Sequence, residues 1–230
     1  MQLRSDHYRP LHEKYGVNHP KANGYRSVAL FAREQAVVLE RIDASRLPIL
    51  DIGCGTGLTL QPLLKIGVQI FGLDFDASAC RAARARGMSV TQGNAFDMPF
   101  ATASIVQVVN CGFINQFEPA KLGAFFAELG RILVPGGRGI ILHRHAKSLM
   151  HQIAHPPLRV LDRIFGGQPD FPQYTHSPSD VRRQINNNRL DLVEEGVTLP
   201  PPGPRILPTD HPASWLIGAS QLIVFKKPDN

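Results

Sequence analysis

A short apolar run that leads into three alternating glycines constrains the fold of this 230-residue chain most strongly. Residues 49–52 are Ile-Leu-Asp-Ile and residues 53–57 are Gly-Cys-Gly-Thr-Gly. The run predicts a buried parallel strand, and the glycines predict a tight turn into the apolar-periodic segment 58–64. Open α/β sheets hold ligands at such strand–turn–helix units, beyond the carboxyl ends of their strands. The stretch therefore predicts an α/β fold with a ligand site at this turn.

The spacing of the glycines disfavours two phosphate-binding motifs. A dinucleotide fingerprint needs a third glycine at position 58, which is Leu58, and a P-loop needs Lys and Ser or Thr after Gly57. The preceding Asp51 would repel a pyrophosphate, but it would suit a ligand that carries an ammonium group. The pattern therefore favours a ligand with a cationic end.

Three further motifs follow the glycine turn. They are Gly-Leu-Asp-Phe-Asp at 72–76, Gly-Asn-Ala-Phe-Asp-Met-Pro-Phe at 93–100 and Glu-Leu-Gly-Arg-Ile-Leu-Val-Pro-Gly-Gly at 128–137. In this order and spacing the four motifs resemble the class I S-adenosylmethionine-dependent methyltransferases, of the small-molecule type with a methyltransferase domain of the 11/25 kind. The resemblance covers roughly residues 48–143. It implies a Rossmann-like, seven-stranded, mostly parallel sheet flanked by helices, S-adenosylmethionine as cofactor, and methyl transfer as the reaction.

The chemistry of this cofactor suggests a partner for each of its parts. Amides of the turn and of the following helix N-terminus would take the methionine carboxylate, and Asp51 would balance the ammonium group. Asp74 would accept the ribose hydroxyls, and Phe75 would pack on the adenine. The expected cofactor contacts are Tyr25, Asp51, Gly53, Cys54, Gly55, Gly57, Asp74, Phe75, Asn94, Ala95, Asp97, Asn110 and Cys111.

Two parts of this set remain open at the sequence level. By the resemblance, the residue after Gly93 contacts the adenine amino group; the family commonly has Asp there, whereas this chain has Asn94, with Asp97 as the alternative acidic partner. Both residues also suit ordinary turn chemistry. Residues 1–26 are expected to form an irregular arm, which is either a surface tail or a lid that brings Tyr25 over the cofactor.

The alternation of apolar and polar segments predicts one domain over residues 1–230, built as a parallel sheet with crossover helices. An arm and helix (1–47) precede a cofactor-binding core (48–143), a substrate cap (144–178) and a C-terminal helix with the last two strands (179–230). Strands are predicted at 49–52, 68–73, 88–91, 104–109, 138–142, 190–199 and 221–226. Helices are predicted at 27–42, with Ser27 as cap, and at 58–65, 77–86, 119–133 and 178–188, with a stiff loop at 200–215.

Histidines at the end of the fifth strand are the candidate catalytic residues. His143 and His145 are two positions apart, so strand alternation would point both to one face, and an imidazole suits a proton acceptor near neutral pH. Both could equally be solvated or bound to backbone carbonyls. No Cys or carboxylate accompanies them at metal-ligand spacing, so we expect no metal site.

Charge and composition bear on the acceptor and the partners. The net charge of +6 is thinly spread, the densest basic run (Arg81, Arg84 and Arg86) suits a solvated helix face, and aromatic residues (7%) do not interleave with basic ones. A nucleic-acid partner is therefore disfavoured. The apolar residues of the cap favour a small, partly hydrophobic acceptor, methylated on O, N or C, although they could merely dock the cap.

Three alternatives remain for the function: an RNA or protein acceptor, a lipid-like acceptor reached from a membrane surface by a cap flanked with Lys147, Arg159 and Arg163, and a non-catalytic cofactor-binding subunit. No apolar run is long enough to span a membrane and no signal peptide is evident. The scattered Cys54, Cys80 and Cys111 favour reduced thiols in the cytoplasm.

Overall fold

In a computed structural model that describes residues 9–25, 27–144, 149, 174–200 and 206–229, eight strands form one sheet. Its strand order is β3-β2-β1-β4-β5-β8-β6-β7, with β1 to β5 mutually parallel and β8, β6 and β7 joined in antiparallel pairs. The strands are β1 Ile49–Ile52, β2 Ile70–Asp74, β3 Ser89–Gln92, β4 Ile105–Cys111, β5 Leu133–Arg144, β6 Asp191–Thr198, β7 Ile206–Leu207 and β8 Ser220–Lys226. The predicted Rossmann-like α/β sheet is confirmed, with one short edge strand more than expected.

Helices cover both faces of the sheet. In the described residues they are α1 Arg9–Tyr15, α2 Val28–Leu39, α3 Gln61–Lys65, α4 Ala77–Ala85, α5 Leu122–Ile132, α6 Pro178–Asn187 and α7 Pro212–Ile217. Side-chain oxygens cap the N-termini of three of them. In α2 Ser27 accepts from Leu30 N, in α4 Asp76 accepts from Ser78 N and Ala79 N, and in α6 Ser177 accepts from Asp180 N. None of these helices is long and apolar enough to cross a membrane.

Alternate residues of the central strands separate two cores. Leu50 and Ile52 of β1 face one core, which packs against α5 through Phe125 and Phe126. Ile49 faces the other core, with Val37 of α2. In β1, Asp51 falls on the same face as Ile49, because successive side chains of a strand point to opposite faces. The chain thus places a carboxylate on the α2 side of a fully buried strand.

Three local predictions are wrong. The arm is not irregular where it is described: α1 and the 3-10 turn Pro20–Asn23 lie in it, and Leu11 and Ala22 are buried. The helix after the glycine turn is shorter than predicted, and the loop expected at 200–215 contains β7 and α7. Most of the predicted cap lies outside the described residues.

We expect Gly53→Ala to destabilise the fold more than Gly67→Ala. Both glycines have positive φ (69° and 85°), so both substitutions carry a backbone penalty of about 1–2 kcal/mol. A Cβ at Gly53 would stand 2.5 Å from the Cβ and Cγ of Phe113, whereas one at Gly67 would meet nothing within 4 Å. Overpacking should add about 1–3 kcal/mol for Gly53→Ala. Urea unfolding of both variants measures the difference, and equal losses would contradict this prediction.

Candidate functional site

The candidate site lies at the carboxyl ends of β1, β2 and β4. The strand order reverses direction between β1 and β4, because the chain first runs outward through β2 and β3 and then returns to the other side of β1. Open α/β sheets bind ligands in the crevice at such a switch point. The glycine turn that follows β1 stands at this point.

The glycine turn is closely packed on both sides. Gly53, Gly55 and Gly57 all have positive φ, as the sequence pattern suggests. A Cβ at Gly53 would collide with Phe113, and one at Gly57 would stand 3.3 Å from the Cβ of Ala83 in α4. The turn therefore depends on glycine both for its backbone conformation and for the close approach of its neighbours.

Most amides of this turn already have partners. Gly53 N and Cys54 N donate to Leu73 O (2.7 and 3.2 Å), Gly55 N donates to Asp74 Oδ2 (2.7 Å) and Gly57 N donates to Cys54 O (2.9 Å). Four of the five turn amides are therefore engaged within the protein, and α3 begins four residues beyond Gly57. Cofactor contact by Gly53, Cys54, Gly55 and Gly57 stays a prediction.

Asp51 is a buried carboxyl with an unsatisfied oxygen. The residue is 1% exposed, and its Oδ2 has no hydrogen-bond partner among the described residues. Burial and, to a smaller extent, the neighbouring charge of Asp74 raise the pKa of Asp51 to about 7. A cationic group beside this oxygen would satisfy it and lower that pKa. The site thus fits a ligand with an ammonium group at this position.

Asp74 ties the end of β2 to its surroundings. Its Oδ1 accepts from Asp76 N (2.9 Å) and its Oδ2 accepts from Gly55 N. Burial raises the pKa of Asp74, while these amide bonds oppose the rise. A carboxylate has about four lone-pair positions, so two amide donors leave capacity for ligand hydroxyls. Its position at the end of the strand beside the glycine turn is the one predicted for ribose binding.

The loop after β3 lies beside Asp74. Gly93 N donates to Asp74 O (2.9 Å), and Gln92 Nε2 donates to Phe75 O (3.1 Å), so Phe75 and the loop are neighbours. Asn94 and Asp97 are exposed, Ala95 is buried, and Asn94 Oδ1 accepts from Phe96 N (3.0 Å). The Asn94 side chain therefore makes a local turn bond, and adenine contacts at Phe75, Asn94, Ala95 and Asp97 stay predictions.

The end of β4 supplies Asn110 and Cys111. Asn110 Nδ2 donates to Ile52 O (2.8 Å), which joins β4 to the end of β1, while its buried Oδ1 has no partner in the described residues. Burial raises the pKa of the Cys111 thiol, and the charges of Asp51 and Glu34 raise it further. Cys111 therefore lies near two carboxyls, and it is not activated as a nucleophile.

Glu34 of α2 is a site residue that the sequence analysis missed. It is 4% exposed, and hydrogen bonds from Ser220, Tyr25 and Thr198 reach its carboxyl group. Burial raises the pKa of Glu34 to about 7, against these hydrogen bonds and the charge of Arg144. A signal was present, because Glu34 lies three residues after Phe31 and three before Val37, on the apolar stripe of α2.

Of the two candidate catalytic histidines, His143 lies within the described residues, and its side chain is buried. His143 is 1% exposed, its Nδ1 lies 3.1 Å from Arg144 O, and it pairs in register with Gln221 of β8. Strand alternation puts His143 on the face of Ile141, towards the α5 core, and not on the face of Asp51 and Glu34. His145 lies outside the described residues. A proton-accepting role for either histidine stays a prediction.

The N-terminal arm is fastened to the glycine turn by polar contacts. Arg86 Nε donates to Thr56 O and its Nη2 donates to Val17 O, both at 2.6 Å. Thr56 Oγ1 donates to Asn23 Oδ1 (3.1 Å), and His12 Nδ1 lies 3.1 Å from Ser78 Oγ. Tyr25 reaches Glu34, so the arm contacts both the turn and α2. Asn23 was also missed from sequence, because nothing in residues 9–23 marks it.

In the described part of the chain, no three His, Cys, Asp or Glu side chains stand close enough to hold a metal ion. The site is instead built from carboxyls, amides and hydroxyls. Two of its carboxyls, Asp51 and Glu34, are buried with raised pKa values, and this is typical of functional sites.

Comparison with known proteins gives a family match over the core of the site. Residues 49–137 match the model of the methyltransferase domain. The chain is 28% identical, over 78% of its length and 73% of the relative's, to a ubiquinone biosynthesis O-methyltransferase of Bradyrhizobium sp. (strain ORS 278). It is 31% identical, over 61% of its length, to a probable tRNA methyltransferase 9B of Bos taurus, of which it spans only 29%.

Solved structures show the same fold. Geranyl diphosphate C-methyltransferase of Streptomyces coelicolor A3(2), solved with Mg²⁺, geranyl diphosphate and S-adenosyl-L-homocysteine, aligns with a TM-score of 0.62. The alignment covers 85% of this chain and 79% of that chain at 16% identity. At this identity the likeness supports the fold alone.

We expect Glu34→Gln to change the pH dependence of stability. With a folded-state pKa of about 7 and an ordinary value of 4.5, Glu34 stabilises the fold below about pH 4.5, and this contribution is lost as the pH rises through 7. The amide does not ionise, so the variant should gain about 2 kcal/mol relative to wild type between pH 5 and pH 8. Urea unfolding at both values measures this gain, and an equal difference at the two pH values would contradict it.

Proposed function

We propose that this chain, whose residues 49–137 match the methyltransferase domain, is a class I S-adenosylmethionine-dependent methyltransferase that transfers a methyl group to a small, partly hydrophobic molecule. The observation that carries the proposal is the unsatisfied, buried carboxyl oxygen of Asp51 beside the glycine turn. This oxygen calls for a cationic partner, which the ammonium group of the donor supplies. A pyrophosphate would be repelled there.

The residues present suit the rest of the donor as well. Asp74 has lone pairs for the ribose hydroxyls. The neighbouring Phe75 would pack on the adenine ring, and loop 93–97 would contact the edge of that ring. The end of β4 at Asn110 and Cys111 lies next to Asp51 and would border the methionine end. These assignments are proposals, and their support is the grouping of these side chains at one edge of the sheet.

S-adenosylmethionine, when bound, supplies a methyl group that is already activated by a cationic sulfur. The chain therefore mainly has to hold the acceptor in line with the methyl group and to exclude water. A proton acceptor is needed only if the acceptor atom carries a proton at neutral pH. His143 and His145 remain the predicted residues for that step.

The acceptor class is proposed from the relatives and from the cap. The ubiquinone biosynthesis O-methyltransferase, as its name indicates, methylates oxygen during the synthesis of a quinone. We propose for this chain an aromatic acceptor with an apolar substituent, methylated on O, N or C, which the apolar residues of the cap would enclose. Peripheral contact with a membrane through this segment belongs to the same proposal.

A second candidate is an RNA acceptor, favoured by the 31% identity to a probable tRNA methyltransferase. Binding of this kind falls steeply with salt, because counterions are released from the phosphates. A protein acceptor and a non-catalytic role as a partner subunit are further alternatives. The free thiols of Cys54, Cys80 and Cys111 support a reducing compartment, which we propose to be the cytoplasm.

Incubation with methyl-labelled S-adenosylmethionine and separate small-molecule, RNA and protein fractions of a cell extract tests the proposed function. We expect label in an organic-soluble small molecule, and transfer to simple catechols or hydroquinones that carry an alkyl chain. Label in RNA would support the second candidate instead, provided that about 200–300 mM salt suppresses the transfer. Tight cofactor binding without transfer to any fraction would support the non-catalytic role.

We expect Asp74→Ala to weaken the binding of S-adenosylhomocysteine by ~1.5–3 kcal/mol, because hydrogen bonds between a carboxylate and the ribose hydroxyls are lost. Titration calorimetry measures the affinity, with Asp191→Ala, an exposed carboxylate at the start of β6, as control. An analogue without the two ribose hydroxyls should bind wild type and Asp74→Ala with similar affinity. An unchanged affinity for S-adenosylhomocysteine would contradict the ribose assignment.

A further inference from the structure

The arm places the side chain of Asn23 directly on the glycine turn. Asn23 ends the 3-10 turn Pro20–Asn23, and Gly24 follows with a φ of 82°. Its Oδ1 accepts from Thr56 Oγ1 (3.1 Å) and lies 3.3 Å from the point where a Cβ at Gly55 would stand. The missing side chain at position 55 therefore leaves the space that the amide group of Asn23 uses.

The position of Asn23 is set by contacts from both sides of it in the chain. Arg86 holds Val17 O and Thr56 O, which joins the arm and the turn through one guanidinium. Leu11 and Ala22 are buried, so the arm also has apolar anchors. On the other side, the side chain of Tyr25 bonds the buried Glu34. These contacts of the arm hold Asn23 against the glycine turn.

The nitrogen of the Asn23 amide is available to a ligand. Because Oδ1 is engaged with Thr56, the amide offers its Nδ2 as donor, and this atom lies 3.7 Å from the Cβ position of Gly55 with no acceptor among the described residues. Of the five turn amides, Gly53, Cys54, Gly55 and Gly57 are engaged. Among the described residues this leaves the Thr56 amide as the one turn amide without a partner, so an anionic group there would gain from a further hydrogen-bond donor outside the turn.

We propose that Asn23 is a further cofactor-binding residue of the site. Its Nδ2 would donate a hydrogen bond to the carboxylate at the methionine end of S-adenosylmethionine. This inference rests on the proposed function. Asp51 lies on the strand side of the turn and suits the ammonium group, so the two residues would hold opposite charges of one zwitterion. A neutral amide suits the carboxylate, because a second acid at that place would repel it.

The test is binding of two ligands to Asn23→Asp by titration calorimetry. One ligand is S-adenosylhomocysteine, and the other is S-adenosylthiopropylamine, which retains the ammonium group and lacks the carboxylate. Asp keeps an oxygen for Thr56 Oγ1 but replaces the donor by a negative charge. We expect the affinity for S-adenosylhomocysteine to fall about tenfold or more and that for S-adenosylthiopropylamine to stay within about threefold.

Two further variants complete the test. Asn187→Asp adds the same charge at an exposed position of α6 and should bind both ligands as wild type does. Asn23→Ala should also lose the preference for S-adenosylhomocysteine over S-adenosylthiopropylamine. This variant replaces Asn23→Asp in the test if Asn23→Asp does not fold. Equal losses for both ligands, an unchanged preference, or tighter binding of S-adenosylhomocysteine would each overturn the inference. If wild type binds neither ligand, the proposed function itself fails.

Discussion

The candidate site depends on how the end of β2 holds the glycine turn that follows β1. Leu73 O accepts from the amides of Gly53 and Cys54, and the Asp74 carboxyl accepts from Gly55 N. These bonds join two neighbouring parallel strands at the edge where ligands bind. They also leave Asp51, on β1, buried next to Asp74. The contacts between the glycine turn and the end of β2 therefore determine both the geometry of the turn and the burial of Asp51 beside a second carboxyl.

The fold and the centre of the site were predictable from sequence where a local pattern determines the structure. The apolar run of β1, the spacing of Gly53, Gly55 and Gly57, and the capping residue Ser27 act within a few residues, and all are found as predicted or nearly so. Asp51 and Asp74 follow from their places at strand ends. Such features need no knowledge of distant parts of the chain.

The parts that were missed depend on contacts between distant residues. Segment 9–23 has almost no apolar pattern, and Arg86 and Ser78, far along the chain, fix it in place. Strand β7 has two residues, which is too short for an alternating apolar pattern to show in the sequence. It forms because it pairs with β6 at the edge of the sheet. His143 was assigned to the cleft from its place in sequence; the structure buries it, with Nδ1 3.1 Å from Arg144 O, and its catalytic role stays a prediction. Only Glu34 left a sequence signal, a charge within an apolar stripe.

The unsatisfied oxygen of Asp51 has a consequence for the protein in the cell. A buried carboxyl without a counter-charge makes the empty fold less stable than its packing alone would allow, and a ligand that supplies the charge relieves this. Because a ligand that binds only the folded state stabilises it further as its concentration rises above the dissociation constant, degradation of this polypeptide by proteases would slow as the cofactor becomes more abundant. Abundance and activity would then rise and fall together with the supply of one metabolite.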